Sequence, residues 1–172
     1  MLTKKEDKLN DLTFITLEEL VPDDHLVRKL AQIDYDFIYD EVKAYYSKDG
    51  RPSIDPVILF KILLLKDIYH YRSIQQTLKE IEVNLAFRWF LNLSLREKLP
   101  HYSVISNNFN YRYNKNTLNK IFKQILNAAI ALNIGLENKI NLKKLKYKVK
   151  KTTTNKNVIV VDEKTLYDKT LV

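Results

Sequence analysis

Apolar residues recur at intervals of three and four along most of this chain, which is the spacing of one face of an α-helix. The widest apolar stripe follows Asp55 and Pro56, a good N-cap with proline at the first helical position. This stripe predicts a mostly buried helix with the inner residues Val57, Leu59, Phe60, Leu63, Leu64 and Ile68. Further helix-start signals stand at Asp23, Asp36, Ser73, Asn84, Ser103 and either Asn116 or Thr117. The pattern therefore predicts an all-α fold, a compact multi-helix domain.

Residues 85–91 are predicted to form a very apolar helix, which Asn84 can cap. The segment is apolar on nearly every side except at Arg88. A helix of this kind is stable only inside a core, so we expect Trp89 near the centre of the domain.

The helix predicted after Ser103 is different because it is rich in amides. Three- and four-residue spacing places Val104, Ile105 and Phe109 on its inner side. Its outer side then carries Ser106, Asn107, Asn110, Arg112 and Tyr113. Asn can bond adenine in a bidentate way, and Arg can reach guanine or a phosphate. Short helices joined by tight turns, with a polar last helix, predict a helix-turn-helix-like core that reads DNA.

The pattern changes after the long helix that ends near Gly135. Residues 139–157 are dense in lysine and poor in large apolar side chains, whereas residues 158–161 are all β-branched, which predicts one short strand. We expect an N-terminal extension, a helical DNA-binding domain, a basic linker, and a last segment that forms a short strand or a disordered tail, over residues 1–20, 21–135, 136–157 and 158–172.

Charge is distributed unevenly along the chain. Residues 1–50 contain 7 Lys or Arg and 12 Asp or Glu, whereas residues 101–172 contain 14 Lys or Arg and only 4 Asp or Glu. A basic half beside an acidic half indicates a polyanion partner on one side of the molecule, for which nucleic acid is the usual candidate. A solvated lysine face is the alternative explanation.

Composition excludes several kinds of chemistry. The chain has no cysteine, three distant histidines and two glycines, which disfavours a metal site and rules out a glycine-rich phosphate loop. No apolar run is long enough to span a bilayer, so we expect a cytoplasmic protein without a membrane partner.

Several motifs stand in a fixed order in the central stretch. They are GRPSIDP from Gly50, RSIQQT from Arg72, NLAFRWFL from Asn84 and PHYS from Pro100, preceded by VPDDHLVRKL from Val21. This series resembles the InsH-like N-terminal domain of DDE transposases of bacterial insertion sequences. The likeness extends over roughly residues 20–134.

The resemblance implies a function and a metal requirement. In that family the helical domain binds the terminal inverted repeats of the element, and a following RNase H-like domain holds three carboxylates that bind two divalent metals. The run from Val160 to Asp162 resembles the strand that carries the first aspartate, which makes Asp162 a catalytic candidate by resemblance. The other two carboxylates lie far downstream in the family. We therefore expect this chain to be catalytically incomplete and to need no cofactor, whereas Mg²⁺ is expected for a full-length relative.

The expected partner is double-stranded DNA. The candidate contacts are Arg72, Arg88, His101, Ser103, Ser106, Asn107, Asn110, Arg112, Lys115 and Lys120. For His101, packing in its loop is the alternative to a phosphate contact. The tyrosines able either to stack on nucleic acid or to pack in the core are Tyr69, Tyr71, Tyr111 and Tyr113. An alternative function is a helical module that forms a homodimer, or docks to an intact transposase, through residues 85–91.

Overall fold

The structure, a computed structural model, describes residues 12–47, 49 and 52–134. Within these residues the chain forms helices and no strand. The α-helices are α1 (Leu17–Leu20), α2 (Leu26–Ala31), α3 (Phe37–Val42), α4 (Pro56–Ile68), α5 (Ile74–Val83), α6 (Leu85–Phe90), α7 (Tyr102–Asn107) and α8 (Lys115–Ala131). A 3-10 helix (Lys43–Tyr45) follows α3, and a π-helix (Asn108–Arg112) follows α7. The all-α prediction is confirmed, whereas the predicted linker and strand lie outside the described residues.

Helix α4 is the centre of the domain, as its broad apolar stripe predicts. It is buried on nearly all sides and packs against α3 and α5. The fully buried ring of Phe60 contacts the rings of Phe109, Tyr113 and Phe122. Helices α6 and α7 pack against α5, α8 packs against α3, and α6 also contacts α1 and α2. Among the described helices, none is long and apolar enough to cross a membrane.

Three of the predicted N-caps are confirmed by their hydrogen bonds. Asp55 Oδ1 accepts from the backbone N–H of Val57 at 2.8 Å. Ser73 Oγ and Asn84 Oδ1 each accept from the residue three positions on, at 3.1 Å. These bonds satisfy backbone donors that have no partner inside the helix. Asp36 occupies its predicted position before α3, but its side chain makes no capping bond.

Three other caps were predicted at the wrong residues. His25 and His101, rather than Asp23 and Ser103, cap α2 and α7 through their imidazole Nδ1 atoms. Helix α8 begins earlier than predicted, because Asn114 Oδ1 accepts from Thr117 N at 2.8 Å. Histidine is not among the favoured cap residues, so its use here follows from an extended backbone that aims Nδ1 at the next helix turn.

Trp89 does not lie at the centre of the core, and that prediction is wrong. Phe87 and Phe90 are the inward aromatic residues of α6, and Trp89 between them is half-buried at the rim. The guanidinium of Arg28 lies 4.8 Å from the centre of the Trp89 ring, and the indole N–H donates to Glu18. Hydrogen bonds from Arg28 and Trp89 lower the pKa of the Glu18 carboxyl. Trp89 thus joins α6 to α1 and α2.

Arg88 is buried, which corrects its prediction as a DNA contact. Its side chain is inward although the helix pattern makes it the exposed position, and the residue is only 4% exposed. The guanidinium donates to the backbone carbonyls of Ser94, with Nε at 3.2 Å, and of Glu97, with Nη2 at 2.7 Å. Arg88 therefore holds the loop after α6 in place and cannot reach a phosphate.

Candidate nucleic-acid interface

Helix α7 and the π-helix form one continuous helical segment, residues 102–112, at the surface of the domain. His101 begins it, and its ring lies 4.3 Å from that of Tyr102, between centroids. Ser103 is not the cap, but its Oγ makes a 2.7 Å hydrogen bond with His101 Nδ1. His101 and Ser103, which were both predicted to contact DNA, therefore stabilise the start of this helix. The His101 side chain stays exposed.

The inner side of this segment is fixed in the core. Ile105 and Phe109 are buried, as predicted, and Val104 is half-buried. Tyr113 was predicted to face outward, but it is only 2% exposed. Its hydroxyl finds a partner in the hydroxyl of Tyr46, and burial together with this hydrogen bond raises the Tyr113 pKa. The ring packs against Phe60, so the end of the segment is anchored on α4.

The outer side of the segment carries the predicted polar residues. Asn107 and Arg112 are exposed, while Ser106 and Asn110 are half-buried. Of the four candidate tyrosines, Tyr111 is the most exposed, at 70%, so a large part of its ring is accessible to a ligand. These side chains can offer amide, phenol and guanidinium groups to a ligand while the opposite side of the helix is packed in the core. That combination suits the reading of a base edge or the binding of a phosphate.

Basic residues continue beyond the segment without any acid nearby in sequence. Residues 101–134 contain four Lys or Arg and no Asp or Glu. Arg112 and Lys115 are both exposed, and the guanidinium of Arg112 lies 4.7 Å from the centre of the Tyr46 ring. Lys120 lies farther along α8, where its ammonium pairs with Glu41 of α3 at 2.6 Å. This ion pair makes Lys120 a weaker candidate for a phosphate contact than Lys115.

The remaining predicted residues lie elsewhere. Arg72 is exposed in the turn between α4 and α5, where its backbone N–H donates to Gln76 Oε1 at 3.1 Å. Asp162 lies outside the described residues, so its assignment stays a prediction. Among the described residues, no group of His, Asp and Glu is arranged to hold a metal ion.

A groove that the sequence did not predict runs between α5 and the start of α7. Its volume is about 520 Å³, and it is lined by Gln75, Leu78, Lys79, Glu82, Leu99, Pro100, His101 and Tyr102. The sequence feature that could have drawn attention to this side of α5 is the pair of glutamines after Arg72, because amides on an exposed helix face can also read bases. Helix α5 therefore lies beside the start of the helical segment 102–112.

A comparison with protein families supports the sequence resemblance. The family model described as Transposase domain (DUF772) matches residues 15–111, more than half of the chain. The matched region runs from before α1 into the π-helix and so includes most of the polar segment. Comparisons with curated proteins and with solved structures gave no significant match.

Proposed function

Because the chain belongs to the transposase domain family DUF772, we propose that its helical domain binds double-stranded DNA at the terminal inverted repeats of an insertion sequence. The observation that carries this proposal is the exposed polar side of residues 102–112. Asn107, Tyr111 and Arg112 project from a helical segment whose opposite side is locked in the core. A rigid helix with exposed amide and guanidinium groups is the usual reader of a major groove.

The charge around this segment supports the same partner. Duplex DNA is a dense polyanion, and lysines and arginines that neutralise its phosphates supply most of the non-specific affinity. Arg112 and Lys115 are exposed at the end of the segment, and no acid lies within residues 101–134. In this proposal they bind phosphates and orient Asn107 towards the base edges. A DNA partner also implies a cytoplasmic location.

Self-association through residues 85–91 has less support. The side chains of Phe87, Phe90 and Leu91 lie in the core, and α6 packs against α1, α2 and α5. In this segment Leu85, Ala86 and Trp89 leave part of their apolar surface exposed. Stable protein interfaces bury much more surface than three partly exposed side chains can supply.

Replacing Asn107 tests the reading of bases. We expect Asn107→Ala to cost about 1–3 kcal/mol of binding free energy against one base pair of the repeat, and to relax specificity there. The measurement is a competition assay in which each base pair of the repeat is changed in turn. Asn127→Ala is the matched control, since Asn127 is an exposed asparagine in the second half of α8. A uniform loss over all sequences would show that α7 is not the reader and would direct attention to α5.

Replacing Lys115 tests the phosphate contacts. We expect Lys115→Ala to weaken all sequences alike and to lower the slope of log affinity against log salt concentration by about one. Lys120→Ala serves as the comparison and should change the slope less, because Glu41 already pairs with its ammonium. Equal slopes for Lys115→Ala and the unmodified chain would exclude Lys115 as a phosphate ligand.

A further inference from the structure

Asn108 carries a buried acceptor that has no partner. The residue is only 7% exposed, and its Nδ2 donates to the carbonyl oxygen of Val104 at 2.7 Å. A carbonyl oxygen can only accept, so this bond fixes the orientation of the amide and leaves Oδ1 facing away from Val104. Oδ1 is shielded from solvent and has no hydrogen-bond partner. A buried acceptor without a partner inside the protein is available to a donor from outside it.

A surface pocket lies beside Asn108. Its volume is about 300 Å³, and it is lined by Asn107, Asn108, Tyr111 and Arg112. The pocket lies where α7 passes into the π-helix, whose wider turn is closed by a 3.1 Å bond from Tyr113 N to Asn108 O. Single π-turns are frequent at functional sites.

Three of the residues that line this pocket carry different binding groups. Asn108 supplies an acceptor for an N–H group, Tyr111 supplies an aromatic face that is largely exposed, and Arg112 supplies a cation. The Arg112 guanidinium lies over the Tyr46 ring, 4.7 Å from its centre. A nucleotide offers the matching groups, namely a base with N–H donors, a flat π surface and a phosphate.

We propose that this pocket binds one unpaired nucleobase of the DNA. Tyr111 stacks on the base, Asn108 Oδ1 accepts a base N–H, and Arg112 binds the neighbouring phosphate. A base in an intact pair does not fit this role, because its groove edge cannot reach an atom buried beneath the helix surface, whereas an extruded base can. Tyr111 and Arg112 both lie at the surface, so their side chains can move aside to admit it. This inference rests on the proposed binding of DNA.

The test uses the full chain and three short duplexes of one sequence. The first is fully paired, the second has one unpaired adenosine, and the third has an abasic unit at the same position. Fluorescence anisotropy gives the affinity for each. We expect the unpaired adenosine to bind about 10-fold tighter than the paired duplex, because one stacked base contributes about that factor and its extrusion needs no further energy. The abasic duplex should bind like the paired one.

Variants of Tyr111 connect this preference with the pocket. Tyr111→Ala should abolish the preference for the unpaired adenosine, and Tyr111→Phe should retain it. Tyr102→Ala is the matched control, since Tyr102 is an exposed tyrosine at the other end of the same helical segment, and it should also retain the preference. Because Tyr111 is largely exposed, its loss should leave the thermal unfolding of the chain unchanged.

The outcomes separate the pocket from the proposed function. Equal affinity for the paired duplex and the duplex with the unpaired adenosine would overturn the proposal that the pocket binds a base, and would leave the proposed DNA binding intact. Equal gains with the abasic and the adenosine duplexes would also overturn it, since backbone flexibility would then explain the preference. Retention of the preference in Tyr111→Ala would place the base elsewhere. Binding to none of the three duplexes would contradict the proposed function itself.

Discussion

Phe60→Ala should lower the free energy of unfolding by about 3–5 kcal/mol, the usual cost of removing a buried phenylalanine ring. Phe60 is fully buried in α4, and its ring contacts Phe109, Tyr113 and Phe122. The change would leave a cavity between α4, α8 and the segment that carries the candidate site. DNA binding should therefore be lost together with stability.

The control for this change is another phenylalanine. Phe14 is fully exposed, so Phe14→Ala should change the free energy of unfolding by less than about 0.5 kcal/mol. Urea denaturation followed by circular dichroism measures both values. Similar small losses for Phe14→Ala and Phe60→Ala would contradict the placement of α4 at the centre of the domain.

Arg88→Ala should lower the free energy of unfolding by about 1.5–3 kcal/mol, because the buried guanidinium would no longer donate to the backbone carbonyls of Ser94 and Glu97. We also expect the loop between α6 and α7 to exchange its amide hydrogens faster. Arg96→Ala is the matched control, since Arg96 lies in the same loop and its side chain is exposed.

The Arg88 result also separates two roles for this residue. A structural role predicts lower stability and altered hydrogen exchange. Unchanged stability in Arg88→Ala, with a loss of DNA affinity alone, would instead make Arg88 a phosphate ligand and contradict its buried position.

The apolar pattern predicts the helices better than it predicts their ends. The stripe after Asp55 identifies α4 and its core residues because a helix buried on most sides leaves a strong signal. His25 and His101 were missed as caps because an imidazole reaches the helix turn only from one backbone conformation. The amino-acid sequence does not reveal which histidine adopts that conformation.

Side-chain direction was harder to predict where distant residues decide it. Arg88 turns inward because its carbonyl partners lie six and nine residues away, and helix spacing holds no information about them. Tyr113 is buried because its ring packs against Phe60 and its hydroxyl bonds to that of Tyr46, which lies 67 residues earlier in the chain. Trp89 lies at the rim because two neighbouring phenylalanines fill the core.

The candidate site was predicted in outline. The exposed amide and guanidinium groups of Asn107 and Arg112 follow from helix spacing alone. The unpartnered Asn108 oxygen and the surrounding pocket do not, because they depend on a π-turn that the residue pattern does not reveal. Such features can be recognised only in the three-dimensional structure.

The most direct test of the proposed function is a comparison of two duplexes. The full chain is titrated with the terminal inverted repeat of the element that encodes it, and with a scrambled duplex of equal length and composition, at several salt concentrations. The proposal predicts that affinity for both falls steeply with salt and that the repeat binds at least about 10³-fold tighter at physiological salt. Equal affinity for the two duplexes at every salt concentration would contradict it.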